Sequence, residues 1–299
     1  MINYVRSGAV FRRVRQRLSA RARPRRVSVI AAAFATLCAL FFSLSATTGD
    51  PFRFRGGLRN DPGERQLNAK QLNTALTSLR DKAGFLEMCF DEDGFLMLGD
   101  QTRFSGGSAT ARALLVAAVK MPNAVVLKSY SDSSHVAFAR LAMPVTYQHY
   151  PPEKKGKKIN VFPLEIDFSD LSELRGDKQA LAAFDVGFWI LHELGHAALG
   201  LRDASSDPKG LGECEGLINR IRRELNLPER QTYVAEIYSS QSFTPYRSTR
   251  LAELVFARAI EKQGRMQIER FNLRWEASKV GPIANTPFQA VTYSSYNEK

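Results

Sequence analysis

Alternation of apolar and polar positions identifies one strand of the chain most clearly. In the run NVFPLEIDF, residues 160–168, phenylalanine, leucine and isoleucine occupy every second position. A period of two predicts a strand that buries one face. Pro163 has no N–H for a ladder, which predicts that this strand lies at a sheet edge. Apolar runs predict further strands at 124–130 and 135–143, and the DEDG segment inside 85–99 is typical of a hairpin.

Helical spacing of apolar residues predicts four helices, over 68–83, 108–120, 177–199 and 212–225. Asp177 is a suitable N-cap for the third helix. Gly200 can end that helix in the left-handed conformation. The fourth helix ends before Pro228, which cannot continue it.

The two ends of the body of the chain have different patterns. In 251–275, Phe271, Leu273 and Trp275 alternate with polar residues after a Gln263–Gly264 turn, which predicts a C-terminal β-hairpin. The segment 47–63 is rich in glycine, proline and charge, which predicts a linker. Residues 64–299 are therefore expected to form one α+β domain that includes this hairpin.

A continuous apolar segment, VSVIAAAFATLCALFFSLSA at 27–46, precedes the predicted linker. About 20 such residues can span a bilayer as a helix. Residues 1–26 hold nine arginines and no acidic residue, which predicts a cytoplasmic N-terminus and a body across the membrane. The apolar segment is either a cleaved signal peptide or a transmembrane anchor. We expect a bacterial protein that is exported or membrane-anchored, with its domain on the periplasmic or extracellular side. A mitochondrial presequence is the weaker alternative, since those are amphipathic.

The positive charge of the chain is concentrated in that same N-terminal segment. The formal net charge is +12, from 42 basic and 30 acidic residues. Without the nine N-terminal arginines, 33 basic residues face 30 acidic ones, so the body is nearly neutral. No basic stripe with interleaved aromatic residues is present, and no nucleic-acid partner is expected. Of the three cysteines, Cys38 lies in the apolar segment; Cys89 and Cys214 either pair in an oxidising compartment or stay separate thiols.

The run FWILHELGHAALGLRD, residues 188–203, contains the candidate chemistry. It places His192, Glu193 and His196 in the order H-E-x-x-H. Residues four apart share a helix face, so the two imidazoles can bind one Zn²⁺ ion. Glu193 then lies where it can take a proton from a zinc-bound water. An ordinary helix with two surface histidines could spell the same motif. However, the chain has only four histidines, this helix is mostly apolar, and imidazoles on it need partners.

At these residues the chain resembles the zincin metallopeptidases, in which the two histidines are zinc ligands and the glutamate is the general base. A second run, NRIRRELNLPERQTY at 219–233, is similar to the N-x-x-R-x-E-L-x-L-P-x-R-x-x-Y pattern of zinc peptidase domains in bacterial secreted toxins and effectors. The resemblance covers about 160–233. It implies a zincin-like α+β fold, with an active-site helix beside an antiparallel or mixed sheet. It also implies an edge strand, here 160–168, to which an extended peptide substrate adds.

A third zinc ligand is needed, because a catalytic site commonly has three protein ligands and one open position. Asp203 is the first candidate, since a reversal at Gly200 can return it to the metal. Its H-x-x-x-G-x-x-D spacing is one residue longer than the related metzincin pattern. Glu215 and Glu213 are the alternates, on the next helix, where a gluzincin places its third ligand. At 100° per residue these two glutamates flank opposite sides of an apolar face, so only one can reach the zinc.

Five other side chains have secondary interpretations. Cys214 lies in the middle of that apolar face and is interpreted as a core thiol rather than a ligand. Arg230 and Tyr233 follow the helix, and either could donate to the oxyanion of a tetrahedral intermediate. The alternative is that Arg230 binds a carboxylate and Tyr233 packs. His135 and His149 are interpreted as ordinary histidines.

These features predict a zinc metalloendopeptidase that hydrolyses peptide bonds with a zinc-bound water and Glu193 as general base. Two alternatives stay open. The first is a non-catalytic domain that uses zinc for its structure, with a closed four-ligand site. The second is a secreted toxin or effector peptidase, which would use the same chemistry in another role. The sequence identifies neither the substrate nor the oligomeric state.

Overall fold

The computed structural model describes residues 55–148, 158–204, 210–241 and 248–281. All of them belong to one compact unit, Phe52–Lys299. The predicted cytoplasmic segment, 1–26, and the predicted membrane segment, 27–46, lie outside the described residues. None of the helices in the four described ranges combines the length and the apolar character that a bilayer crossing requires.

The described chain contains six helices: α1 (Ala69–Ala83), α2 (Ala109–Lys120), α3 (Asp170–Glu173), α4 (Lys178–Ala182), α5 (Val186–Leu199) and α6 (Gly212–Glu224). Its twelve strands are β1 (Gly57–Asn60), β2 (Cys89–Phe90), β3 (Leu96–Met97), β4 (Ala124–Tyr130), β5 (Ala139–Leu141), β6 (Val145–Gln148), β7 (Lys158–Asp167), β8 (Arg175–Gly176), β9 (Glu229–Arg230), β10 (Glu236–Gln241), β11 (Ser248–Lys262) and β12 (Arg265–Glu276). The predicted α+β class is confirmed.

The first sheet is mixed and has the order β1-β4-β7-β5, with β6 also paired to β7. β1, β4 and β7 run parallel, while β5 and β6 run antiparallel to β7. Leu164 and Ile166 of β7 face the main core, whereas Ile159 and Val161 form a small cluster on the other face. Both faces of β7 therefore bury apolar residues.

The prediction that 160–168 forms an edge strand is wrong, because β7 is paired on both sides. In β7 the carbonyl of Pro163 accepts a hydrogen bond from the N–H of Ala142 at 2.8 Å. Ala142 lies in the gap between β5 and β6. Because the N and O atoms of a strand residue point to the same side, the missing N–H of Pro163 faces Ala142, and the pairing of β7 with β4 on the opposite side is unaffected. The edge on this side of the sheet is β5, next to α5.

The linker prediction for 47–63 is also wrong over its last residues. β1 lies at Gly57–Asn60, where all four residues are buried, and it pairs with β4 in the first sheet. Residues 47–54 lie outside the described chain. The compact unit consequently includes residues before 64, the predicted start of the domain.

The second sheet is antiparallel and has the order β10-β11-β12-β8, with β9 also paired to β11. Its long β11–β12 hairpin turns at Gln263 and Gly264, which both have positive φ, as a two-residue hairpin turn requires. This confirms the predicted C-terminal hairpin. The predicted hairpin within 85–99 is confirmed as β2–β3.

The predicted helix at 177–199 is two helices. α4 ends at Ala182, and α5 begins after Asp185, whose carboxylate Oδ1 accepts hydrogen bonds from the N–H groups of Gly187 and Phe188. Asp177 precedes α4 but makes no side-chain cap. Gly200 ends α5 with φ 67°, as the sequence predicts. α5 packs against α1, α2, α6 and β5 and thus lies in the middle of the domain.

Candidate metal centre

The first half of α5 is fixed to α1 by polar contacts at its N-terminus. Lys82 Nζ lies 2.6 Å from Asp185 Oδ2, and Ser78 Oγ accepts a hydrogen bond from Gly187 N at 3.1 Å. A Cβ on Gly187 would lie 2.3 Å from Ser78 Oγ, so only glycine allows this approach. The helix is mostly apolar in this half and is buried around most of its circumference. The two histidines in the second half therefore have a rigid support.

The chain reverses direction after α5 and brings Asp203 back to the two histidines. Asp203 Oδ1 lies 3.1 Å from His192 Nε2, and Asp203 Oδ2 lies 3.3 Å from His196 Nε2. The reversal depends on Gly200 and on Gly212, at the start of α6, where φ is 72°. A Cβ on Gly212 would lie 2.6 Å from the carbonyl carbon of Asp203. Two glycines thus place the carboxylate that the sequence ranked first.

The Nδ1 atom of each imidazole lies next to an oxygen acceptor. His196 Nδ1 donates to the carbonyl of Leu201 at 2.7 Å, and His192 Nδ1 lies 3.3 Å from Glu215 Oε2. A ring that donates from Nδ1 keeps the lone pair of Nε2 free for a metal. Both Nε2 atoms and both oxygens of Asp203 consequently converge on one point.

Glu215, an alternate ligand in the sequence, has another role in the structure. Its carboxylate is buried and forms ion pairs with Arg222 and with Arg230, the second at 3.2 Å. Burial alone would raise the pKa of Glu215, but these two guanidinium groups and His192 hold it well below its usual range. Glu215 therefore stays ionised and orients His192. The other alternate, Glu213, is exposed and accepts a hydrogen bond from Arg202 N at 3.1 Å, away from the imidazoles.

The cluster attracts positive charge strongly. Burial opposes protonation of His192, yet hydrogen bonds with Asp203, Cys214 and Glu215 raise its pKa to about 12. Asp203 and Cys214 raise the pKa of His196 to about 10. Despite its partial burial, hydrogen bonds from both histidines and from Tyr233 hold the pKa of Asp203 far below its usual range. A group of donors that binds protons this tightly also suits a metal cation, which competes for the same lone pairs.

Cys214 lies much closer to the centre than its interpretation as a simple core thiol implies. Its side chain is fully buried, as that interpretation requires, but Sγ is within 4.8 Å of the ligand atoms of His192, His196 and Asp203. The thiol donates to the carbonyl of His192 at 3.0 Å. A Cβ on Gly195 would lie 2.7 Å from Sγ, so the space beside this glycine is filled by the thiol. Cys214 and Cys89 do not form a disulfide: Cys89 is exposed and Cys214 is buried.

Glu193 lies beside the imidazoles and is held by the edge strand. Its Oε2 accepts a hydrogen bond from the main-chain N–H of Leu141 in β5 at 2.9 Å. Burial raises the pKa of Glu193, and the nearby histidines and the Leu141 N–H partly offset this effect. A carboxylate with a raised pKa can both accept and return a proton near neutral pH.

A cavity of about 220 Å³ opens next to Glu193 and His192. Its walls are mainly aromatic and aliphatic, with one charged side formed by Glu215, Arg222 and Arg230. The aromatic part of the wall consists of Phe138, Phe184, Phe188, Trp189, Tyr233 and Trp275. A cavity that combines aromatic and aliphatic walls with convergent polar groups is typical of a ligand site.

Tyr233 and Arg230 both line this cavity but differ in what they can offer. The Tyr233 ring stacks on His192, with centroids 6.1 Å apart, and its hydroxyl bonds to Asp203, which together with burial raises the pKa of Tyr233. Arg230 donates to Glu215 and to the carbonyls of Thr232 and Tyr233, so all three of its nitrogens have partners. The arrangement agrees with the alternative interpretation of Arg230, as the partner of a carboxylate.

The chain has two other histidines, His135 and His149. His135 is exposed in the loop before β5, and His149 lies outside the described residues. The contribution of Leu141 could not be found from residue types, since a main-chain group makes it. For Cys214 a signal existed in the glycine at position 195, which removes a side chain between the two histidines.

No protein-family model, no curated protein and no solved structure matches this chain. The geometry of the site is therefore the basis for its function.

Proposed function

We propose that the protein is a zinc-dependent peptidase with the metal held by His192, His196 and Asp203. One observation carries the proposal. The Nε2 atoms of both histidines face the same carboxylate, while Glu193 lies beside them and lines the cavity. Protons can hold these three groups together, and a metal cation can take the place of those protons.

The donor set fits zinc. Two imidazole nitrogens and one carboxylate oxygen are a usual set for a catalytic zinc ion. Both imidazoles have their Nδ1 atoms bonded to an acceptor, as metal-bound histidines generally do. When bound, zinc supplies Lewis-acid chemistry that polarises a carbonyl and makes water more acidic.

Glu193 performs the proton transfers in this proposal. It accepts the proton that water loses as the new C–O bond forms, and it donates that proton to the amine nitrogen as the peptide C–N bond breaks. The N–H of Leu141 keeps the carboxylate in place through Oε2 and leaves Oε1 for the water. Tyr233 holds Asp203 through its hydroxyl and is also the candidate donor to the oxyanion, because Arg230 is engaged elsewhere.

The proposed substrate is a peptide or protein, and the proposed fold type is zincin-like. Support comes from β5, which is paired with β7 on one side and lies next to α5. An extended peptide that added beside such an edge would pass Glu193. Location on the far side of a membrane, through the apolar segment 27–46, remains part of the proposal.

A second candidate function is a structural zinc site in which Cys214 is the fourth ligand. The buried thiol lies near all three proposed ligands, and the two imidazoles lower the pKa of Cys214 against the effect of burial. A closed site with four protein ligands would leave no position for a water. The hydrogen bond from the thiol to the carbonyl of His192 favours the open site, because a thiol that donates there keeps its proton.

A chelator experiment on the full-length protein tests the proposal. Cleavage of a mixed peptide library should stop when zinc is removed and return when zinc, but not magnesium, is added back. A chelated protein that still cleaves the same bonds would contradict a zinc peptidase. A protein that binds zinc and never cleaves would favour the structural site.

A further inference from the structure

One residue beside the metal centre has a strained main chain. Phe138 has φ 62°, in the left-handed region, and it is the only aromatic residue with positive φ among the described residues. For a bulky side chain this conformation is a genuine outlier, and it persists only where the surroundings impose it. Phe138 directly precedes β5, the strand whose Leu141 holds Glu193.

Two contacts to the main chain of Phe138 impose this conformation, one from the Asp170 carboxylate and one from the main-chain N–H of Asp167. Asp170 Oδ2 accepts a hydrogen bond from Phe138 N at 2.7 Å, and the carbonyl of Phe138 accepts one from Asp167 N at 2.9 Å. Asp170 is 2% exposed, at the start of α3. The loop before Phe138 is bound at its other end, where Asp167 Oδ2 accepts from Ser133 N at 2.6 Å. The strained residue is thus held by its main chain on both sides.

The Phe138 ring occupies a central place in the cavity wall. Its centroid lies 5.1 Å from the rings of Phe184, Trp189 and Trp275. Trp189 and Trp275 are the only two tryptophans in the chain. Movement of Phe138 would therefore change the cavity and the surroundings of both tryptophans together.

We propose that Asp170 is a positioning residue for Glu193 and for the cavity, acting through the main chain of Phe138. It fixes the left-handed turn into β5, so that the N–H of Leu141 meets Oε2 of Glu193 and the Phe138 ring closes the cavity wall. The enzymatic part of this inference rests on the proposed peptidase function. The positional part does not, since it concerns contacts that exist without substrate or metal.

Three variants of the full-length protein separate the role of the main chain from that of the ring. Asp170→Ala removes the acceptor for Phe138 N, whereas Asp170→Asn keeps an acceptor oxygen. We expect Asp170→Ala to shift tryptophan emission and to lower kcat at least about tenfold, within the ~10²-fold that a 1 Å misplacement costs. Asp170→Asn should keep both the tryptophan emission and kcat near the wild-type values. Phe138→Gly adopts the left-handed turn without strain but loses the ring from the cavity wall, so its rise in KM should exceed its loss of kcat.

Glu224→Ala is the matched control. Glu224 also binds several donors at a helix start, Ser108 Oγ and the N–H and hydroxyl of Thr110, but it does not line the cavity. This variant should lower the melting temperature without changing tryptophan emission or kcat.

The outcomes separate cleanly. Wild-type emission and kcat in Asp170→Ala would overturn the inference, as would a folded Asp170→Asn that behaves like Asp170→Ala. If Asp170→Ala does not fold, a loss of kcat in Phe138→Gly that equals or exceeds its rise in KM would overturn it instead. If the wild type shows no Glu193-dependent cleavage, the peptidase function fails. The emission of the two Asp170 variants then still decides whether Asp170 positions Phe138.

Discussion

His192 Nε2 lies 3.1 Å from Oδ1 of Asp203, eleven residues further along the chain. The same carboxylate reaches His196 Nε2 through its other oxygen at 3.3 Å. The single carboxylate of Asp203 faces two imidazole nitrogens and completes the proposed three-ligand set, and it sits on a turn that two glycines make possible.

Asp203 should be required for the metal. We expect the wild type to bind roughly one zinc per chain and Asp203→Ala and His196→Ala to lose it, because each change removes one of the three proposed ligands. Metal analysis of the purified full-length protein measures this. Glu213 is an exposed acid at the start of α6, and Glu213→Ala is the control that should keep its zinc. Full zinc content in Asp203→Ala would rule out the ligand set.

Glu215 should tune zinc binding without being a ligand. Glu215→Gln keeps the size of the side chain but removes the charge that orients His192 and pairs with two arginines. Zinc affinity should fall by about 10- to 100-fold, the scale seen for partners of metal-bound histidines. A competition titration with a chelating dye would measure the change. Complete loss of zinc from a folded variant would mean instead that Glu215 is itself a ligand.

Cys214→Ser tests whether the site is open. If the thiol only donates to the His192 carbonyl, the serine variant should keep zinc and peptidase activity. Cobalt exchanged into the wild type should then show no sulfur-to-metal charge-transfer band. A strong band that disappears in Cys214→Ser would support the closed structural site.

The Asp170 carboxyl group should make the stability of the folded protein depend on pH. Burial, with Asp167, Asp132 and Glu173 nearby, raises the pKa of Asp170 to about 7 in the folded protein. Since the pKa is higher when folded, the contribution of this group is full below its unfolded value and is lost as pH rises through about 7. Asp170→Asn mimics the protonated form. Its melting temperature relative to wild type should therefore rise between about pH 5 and about pH 8. A difference that does not depend on pH would contradict the raised pKa.

The apolar segment 27–46 predicts the topology of the chain. A reporter that works only outside the cytoplasm should be active when it is fused after Lys299 of the full-length protein. A companion reporter that works only in the cytoplasm should be silent in the same fusion. The reverse pattern would overturn the proposed location.

The histidine motif and the order of elements could be predicted because they depend on local patterns. Helical spacing gave the bounds of α6 to within a residue, and the apolar run at 124–130 gave β4. The break between α4 and α5 was missed because apolar periodicity continues across Asp185, the residue whose side chain caps α5. The contacts of this first turn with Lys82 and Ser78 are tertiary, so the local pattern does not show them.

Other errors came from contacts between distant parts of the chain. Pro163 suggested an edge strand, but its lack of an N–H matters only on the side it faces, where the chain between β5 and β6 leaves a gap. Cys214 was assigned to the core from its helix face, without knowing that this face meets Gly195 at the metal centre. The role of Leu141 rests on a main-chain N–H, which no residue pattern encodes.

The most direct test of the peptidase proposal is a comparison of Glu193→Gln with the wild type in zinc content, melting temperature and cleavage. The change keeps the size of the side chain and an acceptor for the Leu141 N–H, but it removes the basic carboxylate. Zinc content and melting temperature should stay close to the wild-type values, while cleavage of a responsive peptide falls by at least ~10²-fold, as expected for a lost general base. Equal cleavage by the two proteins would contradict the proposed role of Glu193.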